Sequence, residues 1–567
     1  MTTQLTDANW WKTAAIYQIY PKSFCDSTDK GTGDIPGIIT KLDYLKTLGI
    51  DAIWLTPVYQ SPMIDNGYDI SDYYAINPEF GTMADFDRLL EQAHARGIRI
   101  IMDIVVNHTS TEHAWFQSAL GDKASPYRDY YIWKSPINGA EPNNWQSKFG
   151  GSAWALDEAT NEYYLHLFAK EQADLNWENP KVRQEVKDII AFWAEKGVDG
   201  FRLDVINLIS KQQDFANDDL GDGRRFYTDG PRVHEYLQEI SREVFQRYGS
   251  VTVGEMSSTT LEHCQQYSSL DGKELSMVFN FHHLKVDYPN GDKWTRAPFD
   301  FLQLKQIFNH WQTGLNGKGW GALFWCNHDQ PRVVSRLGND KEYRELSAKM
   351  LAASVHMMQG TPYIYQGEEI GMTNPGYTSI DQYRDVESIN MYDIMVNQGT
   401  TSHEEMMAIL AQKSRDNSRT PMQWNAKPQA GFTQGTPWLA VAGKYRDINA
   451  EQAVADPDSV FYFYQRLIAL RKEVPVITHG DYRDLLPEHS EIFAYQRQSA
   501  TQTLVCLNNY YGQESECVLP AELDVSQARY LLGNYADITE HNVSVHQILR
   551  PYETRIILIE SPDKIQP

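Results

Sequence analysis

Four stretches of this 567-residue chain carry acidic, basic and imidazole side chains in short, chemically loaded runs. They are Asp103-Ile-Val-Val-Asn107-His108, Gly200-Phe-Arg202-Leu-Asp204-Val-Ile-Asn207, Val253-Gly254-Glu255 and Asn327-His328-Asp329. Each stands at the end of an apolar or β-branched run, where a strand gives way to its loop. If those strand ends share one rim, at least three carboxylates, two imidazoles and a guanidinium converge there. Crowding like charges opposes folding, so such a cluster needs a chemical reason. Cleavage of a glycosidic bond supplies one. One carboxylate attacks the anomeric carbon and one carboxylic acid protonates the leaving oxygen. A further carboxylate stabilises the positive charge that develops on the sugar. Taken singly, an Asp at a strand end is a helix cap or a surface charge, and an Asn-His pair is a satisfied hydrogen-bonding pair. The four segments together are what argue for chemistry.

The elements that must position them are legible from periodicity. Residues 16–20, 52–55, 98–106, 198–203, 250–254, 277–281, 321–325 and 362–365 read as eight strands, separated by amphipathic stretches. Asp34 is a candidate cap for a helix with Ile35, Ile38, Ile39, Leu42 and Leu45 on one face and Gly49 just past its end. Thr82 is a candidate cap for a second, with Phe86, Leu89, Leu90 and Ala93 inward and Gly97 as its stop. Residues 180–196 and 459–472 read as further helices. Eight strand–helix units predict an α/β fold, a (β/α)₈ barrel, with chemistry at the C-terminal ends of its strands. Residues 109–173 are rich in Asn, Gly, Ser, Tyr and Trp without a clear helical period and read as a lobe inserted after strand three. The barrel is expected over 1–108 and 174–475, with a loop-rich subdomain at about 373–456. Short alternating strands over 476–567 predict a C-terminal antiparallel β-sandwich.

The formal net charge is −24, which argues against a nucleic-acid partner and would repel an anionic substrate unless a local basic pocket received it. Cys25, Cys264, Cys326, Cys506 and Cys517 are odd in number and scattered, as expected of reduced thiols rather than a disulfide framework. The stretch from Met1 to Trp10 lacks a basic region followed by an apolar one, and no apolar run is long enough to span a bilayer. A cytoplasmic protein with no membrane partner is expected. The sequence leaves the oligomeric state open, and a monomer is compatible with it.

The four segments, in this order, resemble the α-amylase superfamily, glycoside hydrolase family 13, over nearly the whole chain. The resemblance implies Asp204 as nucleophile, Glu255 as general acid/base and Asp329 as transition-state stabiliser. It implies that His108 and His328 bind hydroxyls of the reacting glucose, and that Arg202 holds Asp204 ionised and oriented. Asp65-Asn66-Gly67-Tyr68-Asp69, with Arg415 in the 414–424 stretch, is similar to the oligo-1,6-glucosidase group. In that group the matching Asp and Arg pair and close the far end of the pocket, which implies an exo-acting enzyme with Tyr68 under a single terminal glucose. Gln172-Ala173-Asp174-Leu175-Asn176 resembles the group's Gln-Pro-Asp-Leu-Asn segment. Val205 matches the small apolar residue of enzymes that act on linkages other than α-1,4. The group's calcium loop, Asp-x-Asn-x-Asp-Gly-x-Gly-Asp, reads here Asp26-Ser27-Thr28-Asp29-Lys30-Gly31-Thr32-Gly33-Asp34. Calcium wants several hard, mostly anionic oxygens. With Thr28 and Lys30 in place of two of them no metal is expected, the Lys30 ammonium taking its place near Asp26 and Asp34. No cofactor is expected either.

Tyr227-Thr-Asp-Gly-Pro231, Glu255-Met-Ser-Ser258 and Phe279-Asn-Phe-His-His-Leu-Lys285 resemble those members of the family that take a phosphorylated disaccharide. A phosphate needs a basic cluster. The candidates are His282, His283, Lys285 and Lys293 after strand six, and Arg224 and Arg225 after strand four. The resemblance therefore implies retaining, exo-acting hydrolysis of α,α-trehalose 6-phosphate to D-glucose and D-glucose 6-phosphate. The alternative is an oligo-1,6-glucosidase acting on isomaltose-type α-1,6 linkages, and an isomerase or transferase would share the same intermediate. A non-catalytic, transporter-associated ectodomain fits worst, because such chains carry an anchor and have lost the carboxylates. Glu255 must carry a proton at neutral pH to act, so its pKa is expected to be raised.

Overall fold

A computed structural model describes residues 9–538 and 543–560. Eight strands form one parallel sheet: β1 (Ile16–Ile19), β2 (Ala52–Leu55), β3 (Arg99–Ile104), β4 (Gly200–Leu203), β5 (Val251–Glu255), β6 (Met277–Phe279), β7 (Ala322–Leu323) and β8 (Thr361–Tyr365). Their order is β6-β5-β4-β3-β2-β1-β8-β7, and a parallel bridge between Val278 and Gly321 brings β6 to β7 and closes the barrel. β3 is buried at all six positions, the mostly apolar run of a strand covered on both faces, with Asp103 near its C-terminal end.

Local chemistry sets the helices around it. Asp34 Oδ1 accepts from Gly37 N–H at 2.7 Å and caps α1 (Ile35–Ile39). The single helix expected from this cap is two. The chain breaks at Thr40, whose hydroxyl bonds back to Gly37 O at 2.6 Å, and resumes as α2 (Leu42–Leu48). Gly49, at φ +96°, ends α2 in the left-handed conformation that a Cβ would strain. Thr82 and Asp85 cap α3 (Met83–Ala95) reciprocally, and Phe86, Leu89, Leu90 and Ala93 are its buried face. α4 (Pro180–Glu195) starts with Pro at its first position behind the Asn179 cap.

Several expectations need correction. β6 and β7 are shorter than 277–281 and 321–325, because the chain leaves the sheet to place the loops that follow. The 109–173 stretch is not without helix. It holds Ala114–Ala119 and a three-stranded antiparallel sheet of Trp133–Lys134, Glu162–Leu165 and Trp154–Asp157. There the buried Arg128 guanidinium bonds Asp157, Glu162 and Ala119 O and lies over Trp133. The 373–456 stretch sets helices among long loops. His403–Lys413 is a full helix, with Met406, Met407, Ile409 and Leu410 buried. Lys30 is exposed, and its ammonium does not sit between Asp26 and Asp34. Those carboxylates accept instead from Gly31 N, Thr28 N and Thr433 Oγ1, and from Ser27 N, Ser27 Oγ and Gly37 N. Donors of the loop, of Gly37 and of Thr433 thus occupy both carboxylates.

After the barrel, α5 (Val460–Glu473) leads to a five-stranded antiparallel sheet. Its strands are β9 (Asp481–Asp484), β10 (Ile492–Gln498), β11 (Gln502–Asn509), β12 (Ala528–Gly533) and β13 (Thr554–Glu560), in the order β9-β10-β11-β13-β12. A two-stranded ladder of Ser515–Val518 and His546–Leu549 accompanies it, and Val505, Leu507, Leu519, Leu549 and Ile557 lie in their shared core. Among the described residues no helix is long and apolar enough to cross a membrane.

Candidate active site

Strand register explains why the four segments meet. In the β3–β4 pairing Arg202 lies opposite Asp103 and Leu203 opposite Ile104, and in the β4–β5 pairing Leu203 lies opposite Gly254. Arg202, Asp204 and Glu255 therefore reach the C-terminal rim at nearly one level. Arg202 is almost wholly buried and organises the carboxylates. Its Nη1 donates to Asp103 Oδ1 at 2.8 Å and to Asp204 Oδ1 at 2.6 Å, and its Nη2 donates to Glu255 Oε2 at 2.6 Å. The guanidinium lies over Trp54 and Tyr68, whose Nε1 and hydroxyl donate to the other oxygen of Asp103. Val205, directly after Asp204, adopts φ +37°, a conformation that costs a β-branched residue energy. In it the Val205 N–H points at Glu255 Oε2, 3.2 Å away.

A second guanidinium pair closes the opposite wall. Arg415 bonds Asp65 Oδ1 at 3.2 Å, Asp329 Oδ1 at 3.3 Å and Asp385 Oδ1 at 2.6 Å, and Arg419 bonds Asp329 Oδ1 at 2.7 Å. His328 stacks on Tyr68, with ring centroids 5.1 Å apart and planes 2° from parallel, and its Nδ1 meets Gln18 Nε2 at 2.8 Å. These groups surround a small inner cavity of about 90 Å³, with Asp65, Tyr68, His108, Asp204, Glu255, Asp329 and Arg415 in its wall. A larger outer chamber of about 260 Å³ shares Phe149, Phe168, Val205, Glu255, Asp329 and Arg415 with it. A cavity of about 1260 Å³ lies at the other end of the barrel, beside the strand starts Arg99 and Val251, away from this cluster.

The charge balance here is acidic. Asp65, Asp103, Asp204, Glu255, Asp329 and Asp385 face Arg202, Arg415 and Arg419, six acids to three guanidiniums, so some carboxyls must hold protons. Burial first, then the charges of Asp204 and Asp329, push Glu255 up to about 8 against the pull of Arg202. Burial lifts Asp204 less, to about 6, because besides the opposing Arg202 its hydrogen bond with Glu255 lowers Asp204 while raising Glu255. At neutral pH Glu255 is the acid and Asp204 the anion. Burial would raise Asp329 as well. It pushes His328 down to about 3, however, so that ring stays neutral, and the Arg415 and Arg419 guanidiniums hold Asp329 well below the usual carboxylate range. Burial also lowers His108.

The basic candidates divide. Lys285 and Lys293 line the outer chamber, although Lys293 is spent on Glu387 at 2.6 Å. His282 and His283 do not line it. His283 is a core imidazole with Nε2 2.8 Å from Phe324 O, and His282 packs on Trp311. Burial pushes both down to about 4, so they carry no charge for an anion. Arg224 and Arg225 lie outside the chamber, paired with Asp222 at 2.7 Å and Asp218 at 2.9 Å. The chamber holds instead a lysine not foreseen. Lys148 donates to Ser257 Oγ at 3.2 Å, and burial together with the charges of Arg224 and Lys285 pushes it down to about 8. It comes from the aperiodic 109–173 stretch, where no motif marks it. Asp385 and Arg419 were also missed. Arg419 stands inside the 414–424 stretch four residues after Arg415, a spacing that would have suggested it.

Comparison with known proteins shows the family. The family described as alpha amylase, catalytic domain, matches residues 18–480. A trehalose-6-phosphate hydrolase of Bacillus subtilis (strain 168) is 60% identical, over 98% of this chain and 99% of its own. An oligo-1,6-glucosidase of Halalkalibacterium halodurans is 52% identical, over 97% and 99%. The crystal structure of Bacillus licheniformis trehalose-6-phosphate hydrolase superposes with a TM-score of 0.93 at 59% identity, over 97% of this chain and 100% of that one.

Proposed function

The chain belongs to the α-amylase family of glycoside hydrolases, and from that premise we propose that it is a retaining exo-α-glucosidase that hydrolyses α,α-trehalose 6-phosphate to D-glucose and D-glucose 6-phosphate. The observation that carries the chemistry is one guanidinium holding both Asp204 and Glu255 at 2.6 Å. Carboxyls on neighbouring nitrogens of one fork are too close for the interposed water of an inverting enzyme, which needs roughly 6.5–9.5 Å, and suit the roughly 5–5.5 Å of a retaining pair.

The unphosphorylated glucose enters the inner cavity, whose far end is closed by Asp65 and Arg415 and whose wall includes Tyr68 and His108, with His328 stacked on Tyr68. Glu255 gives its proton to the bridging oxygen as Asp204 bonds to the anomeric carbon. Asp329 keeps its charge against the developing cation. With the leaving sugar gone, Glu255 takes a proton from water, which attacks the glucosyl–Asp204 ester and releases glucose with its configuration retained. The leaving glucose 6-phosphate occupies the outer chamber. Lys148 and Lys285 supply its phosphate with charge, Ser257 stands beside Lys148, and the Lys293–Glu387 pair contributes little net field. A phosphate dianion repays the desolvation of these two ammoniums, and this local patch offsets the repulsion of an acidic chain. The same substrate supports a cytoplasmic location, because a phosphorylated sugar does not cross a bilayer unaided.

The experiment is incubation with trehalose 6-phosphate, trehalose and isomaltose at equal concentration, with glucose and glucose 6-phosphate measured separately. The proposal expects both products from trehalose 6-phosphate at the highest kcat/KM. Faster cleavage of isomaltose, with no phosphorylated product, returns the chain to the oligo-1,6-glucosidase reading, which Val205 in the wall of both chambers would then serve.

A further inference from the structure

The buried polar groups that the reaction leaves unused converge on Lys211. Its ammonium donates to Leu208 O at 2.8 Å and to Asn107 Oδ1 at 3.0 Å, and lies 2.9 Å from Asp174 Oδ2. Asp174 is fully buried, and its other oxygen accepts from Leu167 N–H at 2.9 Å. An ammonium can only donate, so the Asn107 atom facing it must be the amide oxygen. The amide nitrogen then points at Asp174 Oδ2, 3.0 Å away, and at His108 Nδ1, 3.2 Å away. That nitrogen can only donate, so Nδ1 must accept and the ring proton belongs on Nε2.

The contacts on the far side of the ring accommodate the same tautomer. Gln172 Oε1 accepts from Ala169 N–H at 3.0 Å, which turns its amide nitrogen toward Asp65 Oδ2 at 3.1 Å and Tyr68 O at 3.2 Å. Both amide hydrogens are thereby used. His108 Nε2, 3.2 Å from that nitrogen, has nothing to accept from it and donates to Tyr68 O at 3.1 Å. Gln172 and Asp174 belong to one short strand, Gln172–Asp174, which pairs antiparallel with His108–Ser110, Asp174 opposite His108. One strand thus presses on both nitrogens of the imidazole.

We propose that the Lys211–Asp174 ion pair is a positioning device: through the Asn107 amide it fixes His108 as the Nε2–H tautomer, so that the ring's one N–H, shared with Tyr68 O, is the donor it offers a glucose hydroxyl in the inner cavity. Burying two opposite charges costs desolvation that their attraction barely offsets. What the pair gains is orientation, because a point charge on each side of a primary amide removes its two-fold ambiguity. The proposal rests on the reading of His108 as a glucose contact only for its kinetic consequence, not for the tautomer itself.

The tautomer is therefore tested first without substrate. Neutron diffraction from deuterium-exchanged crystals of the unmodified protein is expected to place deuterium on His108 Nε2 and none on Nδ1; deuterium on Nδ1 overturns the proposal. The consequence is tested with p-nitrophenyl α-D-glucoside and its mono-deoxy analogues. His108→Ala identifies the hydroxyl the ring holds, as the one whose removal ceases to matter. Asn107→Asp combined with Asp174→Asn is isosteric, keeps the net charge and a partner for Lys211, and offers Nδ1 an oxygen, which draws the proton across the ring. Lys211→Met combined with Asp174→Asn removes the pin without stranding a buried charge. Both variants are expected to shrink the kcat/KM penalty for that one analogue by about three- to tenfold, the worth of one hydrogen bond. The other analogues keep theirs. Equal slowing of every analogue is what a merely structural role would give, and it overturns the kinetic claim.

Discussion

Asp103→Asn isolates the electrostatics of the site, because Asp103 shares Arg202 Nη1 with Asp204 yet does not line the inner cavity. The substitution removes one negative charge and almost no volume. Two oxygens hydrogen-bonded to one nitrogen at 2.8 and 2.6 Å are near neighbours. At about 5 Å and an effective dielectric of about 20 their repulsion is ~3 kcal/mol, equivalent to roughly two pH units. Asp103 is itself raised to about 6 by burial, so it is only half ionised where Asp204 titrates, and the displacement expected of Asp204 falls to about one pH unit. The sign follows from roles. The acid limb of kcat/KM is loss of the Asp204 anion as pH falls through about 6, and the alkaline limb is loss of the Glu255 proton as pH rises through about 8. Relieved of Asp103, Asp204 ionises more readily and the acid limb moves down by about one pH unit. The alkaline limb also moves down, by less, because Asp103 shares Nη1 with Asp204 whereas Glu255 is on Nη2. The assay is kcat/KM for p-nitrophenyl α-D-glucoside from about pH 4 to about pH 10 in wild type and variant, a span that brackets both limbs. An acid limb that stays in place, or a loss of rate equal at all pH values, would refute the assignment of that limb to Asp204.

Glu255→Gln should cost about 10²–10⁴-fold in kcat on trehalose 6-phosphate and abolish the alkaline limb, since an amide does not titrate; a persisting limb near pH 8 would give that proton to another group. Azide separates the two roles by stereochemistry: with an activated glucoside, Glu255→Ala should yield the α-glucosyl azide and Asp204→Ala the β-anomer, read by NMR. Lys285→Ala and Lys148→Ala should each raise KM for trehalose 6-phosphate by roughly 10–100-fold, the worth of a charge-assisted contact. Neither should alter p-nitrophenyl glucoside kinetics, whereas His282→Ala, Arg224→Ala and Arg225→Ala should change both little. In the fold, Arg471→Leu should destabilise by about 2–4 kcal/mol, because the buried guanidinium satisfies the carbonyls of His356, Met358 and Gly360 between α5 and β8 and leaves them unpaired when lost. The readout is the urea midpoint.

The reacting half of the site was legible because its chemistry is written locally. Strand periodicity put Arg202 and Asp204 on one face, two residues apart, and parallel register then brought Asp103 and Glu255 to the same height without further information. The outer chamber was legible only in part, through Lys285 and Lys293, for a physical reason that His282 and His283 make plain. Counted in sequence they are basic; packed against Trp311, Phe308 and Phe324 they are neutral, and a cluster of residue names is not a cluster of charge until burial is known. Arg224 and Arg225 differ again, each paired with an Asp within seven residues, although the Arg224 charge still reaches Lys148 and Lys285. Lys148 has no local signal at all, since it is carried to the chamber by a lobe whose small sheet has no long period, and only tertiary packing sets it beside Ser257. The Lys211–Asp174 pair follows the same logic in reverse. Asp174 stands in the 172–176 motif but Lys211 in none, and the worth of the pair emerges only once the amide between them is seen to have two faces and one permitted orientation.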